Sequence, residues 1–254
     1  MAIVTTDNKN YQDIADKIRS LAGVETTYEP SEMPTGIESV YQKGQEAANE
    51  AFWGLYLNYG NPKYITYAFA GTGWNNNTFY PKYNIVASAS SANGMFRTCD
   101  ITDLAGRLEE CGVTLDISKA SGLQYLTSYS KITHFPVLDS SGTTILREVV
   151  ASSDRLVTID KFILRNSGDQ TFDRVFVSCN ALQNLVIEGT IGQNGFNVQW
   201  CPLTFDSLVS IIDALADKSS DTSGTDWLIT LGQTNISTLG SEADRITGKG
   251  WRYE

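Results

Sequence analysis

Apolar residues along this chain follow two rhythms, and the change between them marks its organisation. Up to about residue 60 they recur at helical spacing. Behind Asn10, a helix-capping residue type, Ile14, Ile18 and Leu21 fall at i, i+4 and i+7, and Gly23 is a natural stop. Ser31 opens a second stripe of Met33, Ile37 and Val40, with Pro34 tolerated in its first turn. Gln45 to Leu57 keeps the same period, with Ala48, Ala51, Phe52 and Leu55 on one side, until Gly60 and Pro62 end it. The pattern predicts an N-terminal helical segment over 1–60. Its stripe serves either packing on its own domain or a homo-oligomer seam through residues 10–57.

From residue 95 the rhythm changes to short apolar clusters recurring every two dozen or so residues. The clearest is Phe176-x-x-Cys179-x-x-Leu182-x-x-Leu185-x-Ile187. A second reads Val150-x-x-Ser153-x-x-Leu156-x-x-Ile159, followed by Phe162, and a third Tyr129-x-x-Ile132-x-x-Phe135-x-Val137. Outlying pieces are Phe96-x-x-Cys99 with Ile101 and Leu104, then Leu115 and Ile117. Ile132, Leu156 and Leu182 stand 24 and 26 residues apart. The alternation of Leu185 and Ile187 predicts one short strand per unit. The small or thiol residue three places after an aromatic or valine suits an inward turn. One such unit cannot bury its own face, whereas stacked units share a continuous core. Leu156, Ile159, Phe176, Cys179, Leu182, Leu185 and Ile187 are the expected core residues.

Between the two rhythms aromatics crowd from Phe52 to Tyr83, interrupted by Gly71, Gly73 and Asn75 to Asn77. Two readings stand. One is a sugar-binding platform, with Trp74, Tyr80 and Tyr83 as contact residues. The other is a cap packed over the open end of the core, since aromatics cover apolar surface efficiently. At the far end, Thr204 precedes a helical stripe of Phe205, Leu208, Ile211, Ile212 and Leu215. Trp227 to Leu231 reads as a strand. A last short helix ends near Gly250, with Trp251 packing back, so this part is expected to close the core.

Two resemblances bear on these patterns. The Phe-x-x-Cys-x-x-Leu-x-x-Leu-x-Ile run at 176–187 resembles the BspA-type leucine-rich repeat family, and the likeness extends over about residues 95–200. Ser153 replaces the cysteine in one copy, and the repeats are few and irregular. The N-terminal Asn10-Tyr11-Gln12-Asp13-Ile14-Ala15-Asp16-Lys17-Ile18-Arg19, with Tyr28-Glu29-Pro30-Ser31-Glu32-Met33, is similar to the two-helix segment heading many phage and prophage tail or baseplate-associated proteins. Tyr67 to Trp74, Phe79 to Tyr83 and Glu188 to Gly192 look like the same group of gut-bacterial and prophage repeat proteins. The resemblance implies an α+β chain in four parts. These are a helical segment at 1–60, an aromatic-rich cap at 61–94, a short leucine-rich-repeat-like solenoid of parallel strands at 95–202, and an α/β cap at 203–254.

Charge and chemistry narrow the function. The net charge of -10 and pI near 4.6 repel phosphate, so nucleic acid is not an expected partner, nor is an anionic membrane surface. No apolar run reaches membrane-spanning length, and Met1 to Asn10 lacks the apolar core of a signal peptide. A single histidine, His134, removes two-histidine metal sites. Cys99, Cys111, Cys179 and Cys201 form no CxxC pair and read as reduced structural thiols. No G-x-S-x-G elbow occurs, and Gly248-Lys249-Gly250 and Gly71-x-Gly73 complete no phosphate or dinucleotide loop. Two constellations could carry chemistry: His134 with Cys111 or Cys179, and Glu109 or Glu110 with Asp100, Asp103 or Asp116. Both residue sets are more ordinary as buried thiols and solvated acids. Asn76-Asn77-Thr78 and Asn235-Ile236-Ser237 match the glycosylation sequon.

The expectation is a non-enzymatic binding protein without cofactor or metal. By resemblance it is a phage or prophage tail-associated adhesin, placed on the virion tail or outside the cell. Its partners would be a protein or cell-surface glycan, and other tail proteins. A bacterial surface or secreted matrix-binding module is the first alternative, and a carbohydrate-active enzyme the second.

Overall fold

The structure, a computed structural model, describes residues 68–81, 84–87 and 91–254. Two units divide the chain, Met1–Asn58 and Tyr59–Glu254, and every described residue belongs to the second. The helices expected within 1–60, the proposed seam at 10–57, and Tyr83 lie outside the described residues.

The described part is a mixed α/β chain with few helices, parallel strands in small sheets and no closed barrel. In order it contains β1 (Ile85–Val86), α1 (Leu104–Glu110), β2 (Leu115–Asp116), β3 (His134–Asp139), β4 (Ile145–Arg147), β5 (Thr158–Ile163), β6 (Thr171–Asp173), β7 (Asn184–Glu188), α2 (Phe205–Ala214), β8 (Leu228–Ile229), α3 (Gln233–Leu239), a 3-10 turn at Gly240–Ala243, α4 (Asp244–Gly248) and β9 (Arg252–Tyr253). β3, β5 and β7 form the central sheet, with His134 opposite Thr158 and Thr158 opposite Asn184. These partners are 24 and 26 residues apart, the spacing of Ile132, Leu156 and Leu182 in the sequence. β4 pairs with β6, β1 with β2, and β8 with β9, all in parallel.

The strands are amphipathic because one face is sealed in the core. β7 buries Leu185 and Ile187 at a spacing of two. β3 and β5 bury Phe135 with Leu138, and Ile159 with Phe162, at a spacing of three. The extra residue in β3 and β5 shifts the register against β7 between Ile159 and Phe162. It also corrects one expected position: Leu138, not Val137, points inward. All seven expected core residues are buried. Aromatic rings continue the core through both ends. Phe69 stacks on Phe96 at 5.4 Å, and Phe176 meets Phe162 and Phe196 edge-on.

A recurring turn precedes the strands. Among the described residues seven non-glycine residues have left-handed backbone, and all seven fall in it: Thr98, Tyr125, Tyr129, Glu148, Ser152, Arg174 and Ser178. Together with Gly94 they make four pairs, 94/98, 125/129, 148/152 and 174/178, each four residues apart. Consecutive turns hydrogen-bond through their backbones, as in Thr98 N–H to Ser128 O (2.9 Å), Tyr129 N–H to Ser152 O (3.1 Å) and Ser152 N–H to Val177 O (2.7 Å). The residue after each second left-handed position is Cys99, Ser130, Ser153 or Cys179, and all four are buried. A small side chain is required there because the turn folds over it. In two of the four turns it also serves as a donor. Cys179 Sγ–H reaches Val150 O (3.0 Å) and Ser153 Oγ–H reaches Thr127 O (2.9 Å), each on the preceding turn. Cys201 continues the series, its thiol 3.9 Å from Phe176 O.

α2 closes the exposed edge of the central sheet. Leu185 N–H donates to Ser207 Oγ (2.9 Å) and Ile187 N–H to Ser210 Oγ (2.8 Å), so helix hydroxyls take the place of a further strand. Leu208, Ile211 and Ile212 are buried, but Phe205 is 44% exposed and leaves the expected stripe. Beyond it, Lys249 Nζ donates to the carbonyls of Ile212, Asp213 and Leu215 at the end of α2. Trp251 is buried, with its indole N–H on Ala216 O (2.8 Å).

Candidate binding surface

The sequence named Trp74, Tyr80 and Tyr83 as contact residues. The structure places Trp74 half-buried, edge-on to Phe69 (5.4 Å) and Phe79 (6.2 Å). Tyr80 is 42% exposed, with the Arg107 guanidinium 4.3 Å over its ring. Arg107 also bonds the Glu110 carboxylate and Asn76 O, tying α1 to the loop that carries Tyr80. Both rings are therefore engaged in the cap over the core.

The two catalytic constellations resolve into structural contacts. Burial pushes the Cys99 and Cys179 thiols up to about 12 and raises Cys201 further, which holds all three protonated at neutral pH. Cys111 is only half-buried, and burial raises its thiol as well. His134 Nε2 lies 2.8 Å from Asp160 Oδ2 on the outer face of the central sheet. Of the acids, Asp103 caps α1 through Gly106 N–H (2.9 Å) and Asp100 pairs with Lys131 (3.1 Å). Asp116 accepts from the Ser118 hydroxyl (2.6 Å) and N–H (3.0 Å), bonds that hold its carboxyl below the usual range. Glu110 pairs with Arg107, and Glu109 is exposed on α1.

Both sequon asparagines carry the fold. Asn235 is buried, donating to Val198, Cys201 and Leu231 carbonyls and accepting from Leu203 N–H. Asn76 bonds Thr102 in both directions. Among the described residues no three His, Cys, Asp or Glu side chains are grouped to hold a metal, and no helix is long and apolar enough to cross a membrane.

The described residues present three surfaces. The outer face of the central sheet carries the exposed Val186 and paired polar side chains: His134 with Asp160, Lys161 with Glu188 (2.6 Å), and Asn184 with Thr158 (3.2 Å). A shallow depression of about 450 Å³ lies at its C-terminal edge, between Ser141, Arg165, Asn166 and Glu188. Its floor is the tight contact of Gly189, where an added Cβ would stand 2.3 Å from Leu164 O and φ is +99°.

The third surface is the ridge formed by the turns. Arg97 lies over the Tyr125 ring (5.3 Å). The Glu148 carboxylate acting on the Tyr125 hydroxyl pushes that phenol up. Glu148 pairs with Arg174, and Asp173 accepts from both Arg174 (3.3 Å) and Arg147 (3.1 Å). One polar network thus crosses four consecutive turns, with two carboxylates set among three guanidiniums. Beside it runs the row Thr98, Tyr129, Ser152 and Ser178, in which Tyr129 is 62% exposed; Trp200, 58% exposed, precedes Cys201 as Ser178 precedes Cys179.

Sequence reasoning missed this ridge. It opened the third copy on Tyr129, whereas the inward side chains of that turn are Thr127 and Ser130. Aligning the copies on the small residue, Ser130 with Ser153 and Cys179, would have turned Tyr129 outward. Comparison with protein-family models, with curated proteins and with solved structures gives no match to this chain.

Proposed function

We propose that this chain is a non-catalytic recognition module, built on a short leucine-rich-repeat-like solenoid and acting as an adhesin associated with a phage or prophage tail. The observation that carries the reading is the turn with paired left-handed residues. It recurs four times, bonded turn to turn, with parallel strands following at intervals of about two dozen residues. A stack of this kind presents side chains in rows, and rows suit extended partners better than small substrates. The tail setting rests on the resemblance of residues 10–33 to tail and baseplate-associated proteins. The target is a protein or a glycan on a cell surface.

The test is binding of the fluorescently labelled full chain to a panel of intact gut bacteria, with mucin and host cells alongside. Strain-selective binding to bacteria is the expected result. Binding confined to mucin or host cells would instead favour a bacterial surface or secreted module. Absence of binding to every surface would overturn the adhesin.

A further inference from the structure

We infer that the junction between the turns at 125–129 and 148–152 is a hinge built into the stack, which opens on the turn side while β3 and β5 stay paired. The inference goes beyond the adhesin reading and holds whatever the chain binds.

The backbone ladder is the first observation. From the turn at 94–98, the N–H groups of Gly94, Phe96 and Thr98 reach the carbonyls of Gln124, Leu126 and Ser128 at 2.8, 2.8 and 2.9 Å. From the turn at 148–152, those of Glu148, Val150 and Ser152 reach Asp173, Val175 and Val177 at 2.8, 3.2 and 2.7 Å. Donors and acceptors in both ladders step two residues at a time. Between them, Tyr125, Thr127 and Tyr129 reach Glu148, Val149 and Ser152 at 3.1, 3.4 and 3.1 Å. Here the acceptors step by one and then by three, so the two turns meet out of register.

The filling is the second. Beside Leu126 and Val149, the buried side chains of these two turns are Thr127, Ser128, Ser130, Val150, Ala151 and Ser153. Thr127 and Ser153 share a hydroxyl contact of 2.9 Å, whereas Ser128 Oγ and Ser130 Oγ have no hydrogen-bond partner among the described residues. Opening the junction lets water satisfy hydroxyls that the closed state leaves unpaired, so less free energy resists it than at a junction filled by rings. The aromatic core divides at the same place. Ring contacts link Phe69, Phe96 and Phe135 on one side and Phe162, Phe176 and Phe196 on the other, and none joins the two groups among the described residues.

The opposite side of the coil is tied. β3 and β5 pair from His134 opposite Thr158 to Asp139 opposite Ile163. Val157 N–H donates to Thr133 O (2.8 Å) and Ser140 N–H to Ile163 O (2.9 Å). Gln170 Nε2 donates to the Ser140 and Thr143 carbonyls, each at 2.9 Å. A junction held along one side and weakly filled on the other opens as a unit, at a free energy below that of global unfolding.

The test is amide hydrogen exchange on the full chain, read residue by residue. Tyr125, Thr127 and Tyr129 are expected to exchange about tenfold faster than Phe96, Thr98, Val150 and Ser152, while Ser140 and Val157 stay protected. Two variants sharpen the result. Ser130→Ala removes a hydroxyl that is unpaired when the hinge is closed and hydrated when it is open, so it should slow the three amides about tenfold. Phe176→Ala weakens only the part beyond the hinge. It should speed exchange at Val150 and Ser152 and leave the three amides unchanged, and Phe176→Leu takes its place if the alanine variant does not fold. Equal protection at all three junctions would overturn the hinge, as would three amides that exchange no more slowly in Ser130→Ala. Acceleration of the three amides by the Phe176 variant, in step with the rest, would also overturn it, because their exchange would then run through global unfolding.

Discussion

Two parts of the repeat, on either side of the turn at 148–152 and of β5, share a backbone and differ in almost everything else. At 176–187 the turn faces the core with Phe176 and Cys179, and the strand follows with Leu185 and Ile187. At 127–138 the same turn faces inward with Thr127 and Ser130, and Ser128 is buried between them. Their hydrogen bonding differs accordingly. In the first, one thiol donates to one carbonyl, Val150 O. In the second, Thr127 Oγ1 lies 2.9 Å from Ser153 Oγ, which itself donates to Thr127 O. Ser128 Oγ and Ser130 Oγ have no hydrogen-bond partner among the described residues. The turn is thus fixed by its left-handed pairs and its bonds to adjacent turns, and the core tolerates a phenylalanine or a threonine at one position.

The sharpest way to test that contrast is truncation at the shared position. Phe176→Ala removes a buried ring in contact with Phe162 and Phe196 and should cost about 3–5 kcal/mol. Thr127→Ala removes far less volume and one hydroxyl contact, and should cost about 1–3 kcal/mol. Urea denaturation of both variants measures the gap. Equal costs would mean that the turn, not the side chain beneath it, carries the stability of both regions.

A smaller effect separates the sheet from its cover. Ser207→Ala deprives the buried Leu185 N–H of its acceptor, and about 1–3 kcal/mol should be lost. Hydrogen exchange should show faster exchange at Leu185 than at Ile159, which sits mid-sheet between β3 and β7. Unchanged protection at Leu185 would mean that α2 covers the edge by packing alone.

How much of this could be read in advance follows the same divide. Where inward positions hold Phe, Cys, Leu and Ile, their spacing gave the correct core, because hydrophobicity and direction coincide. In the 127–138 region they part company. Thr127 and Ser130 point inward and the tyrosines point out, so an apolar pattern anchored on Tyr129 fell one residue from the inward Ser130. The extra residue in β3 and β5 was equally hidden, since Val137 and Leu138 are both apolar and only the pleat distinguishes them. Cap residues such as Ser207 and Ser210 carried no signal, because a serine on a helix face reads as solvated surface. The ridge was invisible for a different reason. Its members stand about two dozen residues apart, and only stacked turns bring them into a row.

Converting one region into the other tests the same point more gently. Thr127→Val with Ser153→Cys rewrites the polar turn on the pattern of Val150 and Cys179, with the new thiol placed to donate to the carbonyl at 127. Ser153→Ala alone strands the Thr127 hydroxyl and carbonyl and should cost about 1–3 kcal/mol, whereas the double variant should come within about 1 kcal/mol of the parent. A double variant as unstable as Ser153→Ala would show that the hydroxyl pair is specifically required there.

The smallest expected change in stability is at Tyr129, and its sign matters more than its size. The left-handed conformation costs an L-residue about 1–2 kcal/mol, while glycine adopts it freely but loses about 0.5–1 kcal/mol more in backbone freedom on folding. Tyr129→Gly should therefore leave the melting point unchanged or raise it slightly, since a ring 62% exposed gives up little packing. The same substitution at Tyr125 should behave differently, because that ring is half-buried and carries Arg97 on its face. Tyr125→Gly should lower stability despite relieving the same backbone strain. If both variants destabilise alike, the Tyr129 ring is held by packing and its exposure has no separate purpose. If only Tyr125→Gly does, the Tyr129 ring contributes nothing to the fold, and the difference between the two positions lies in the contact of Tyr125 with Arg97.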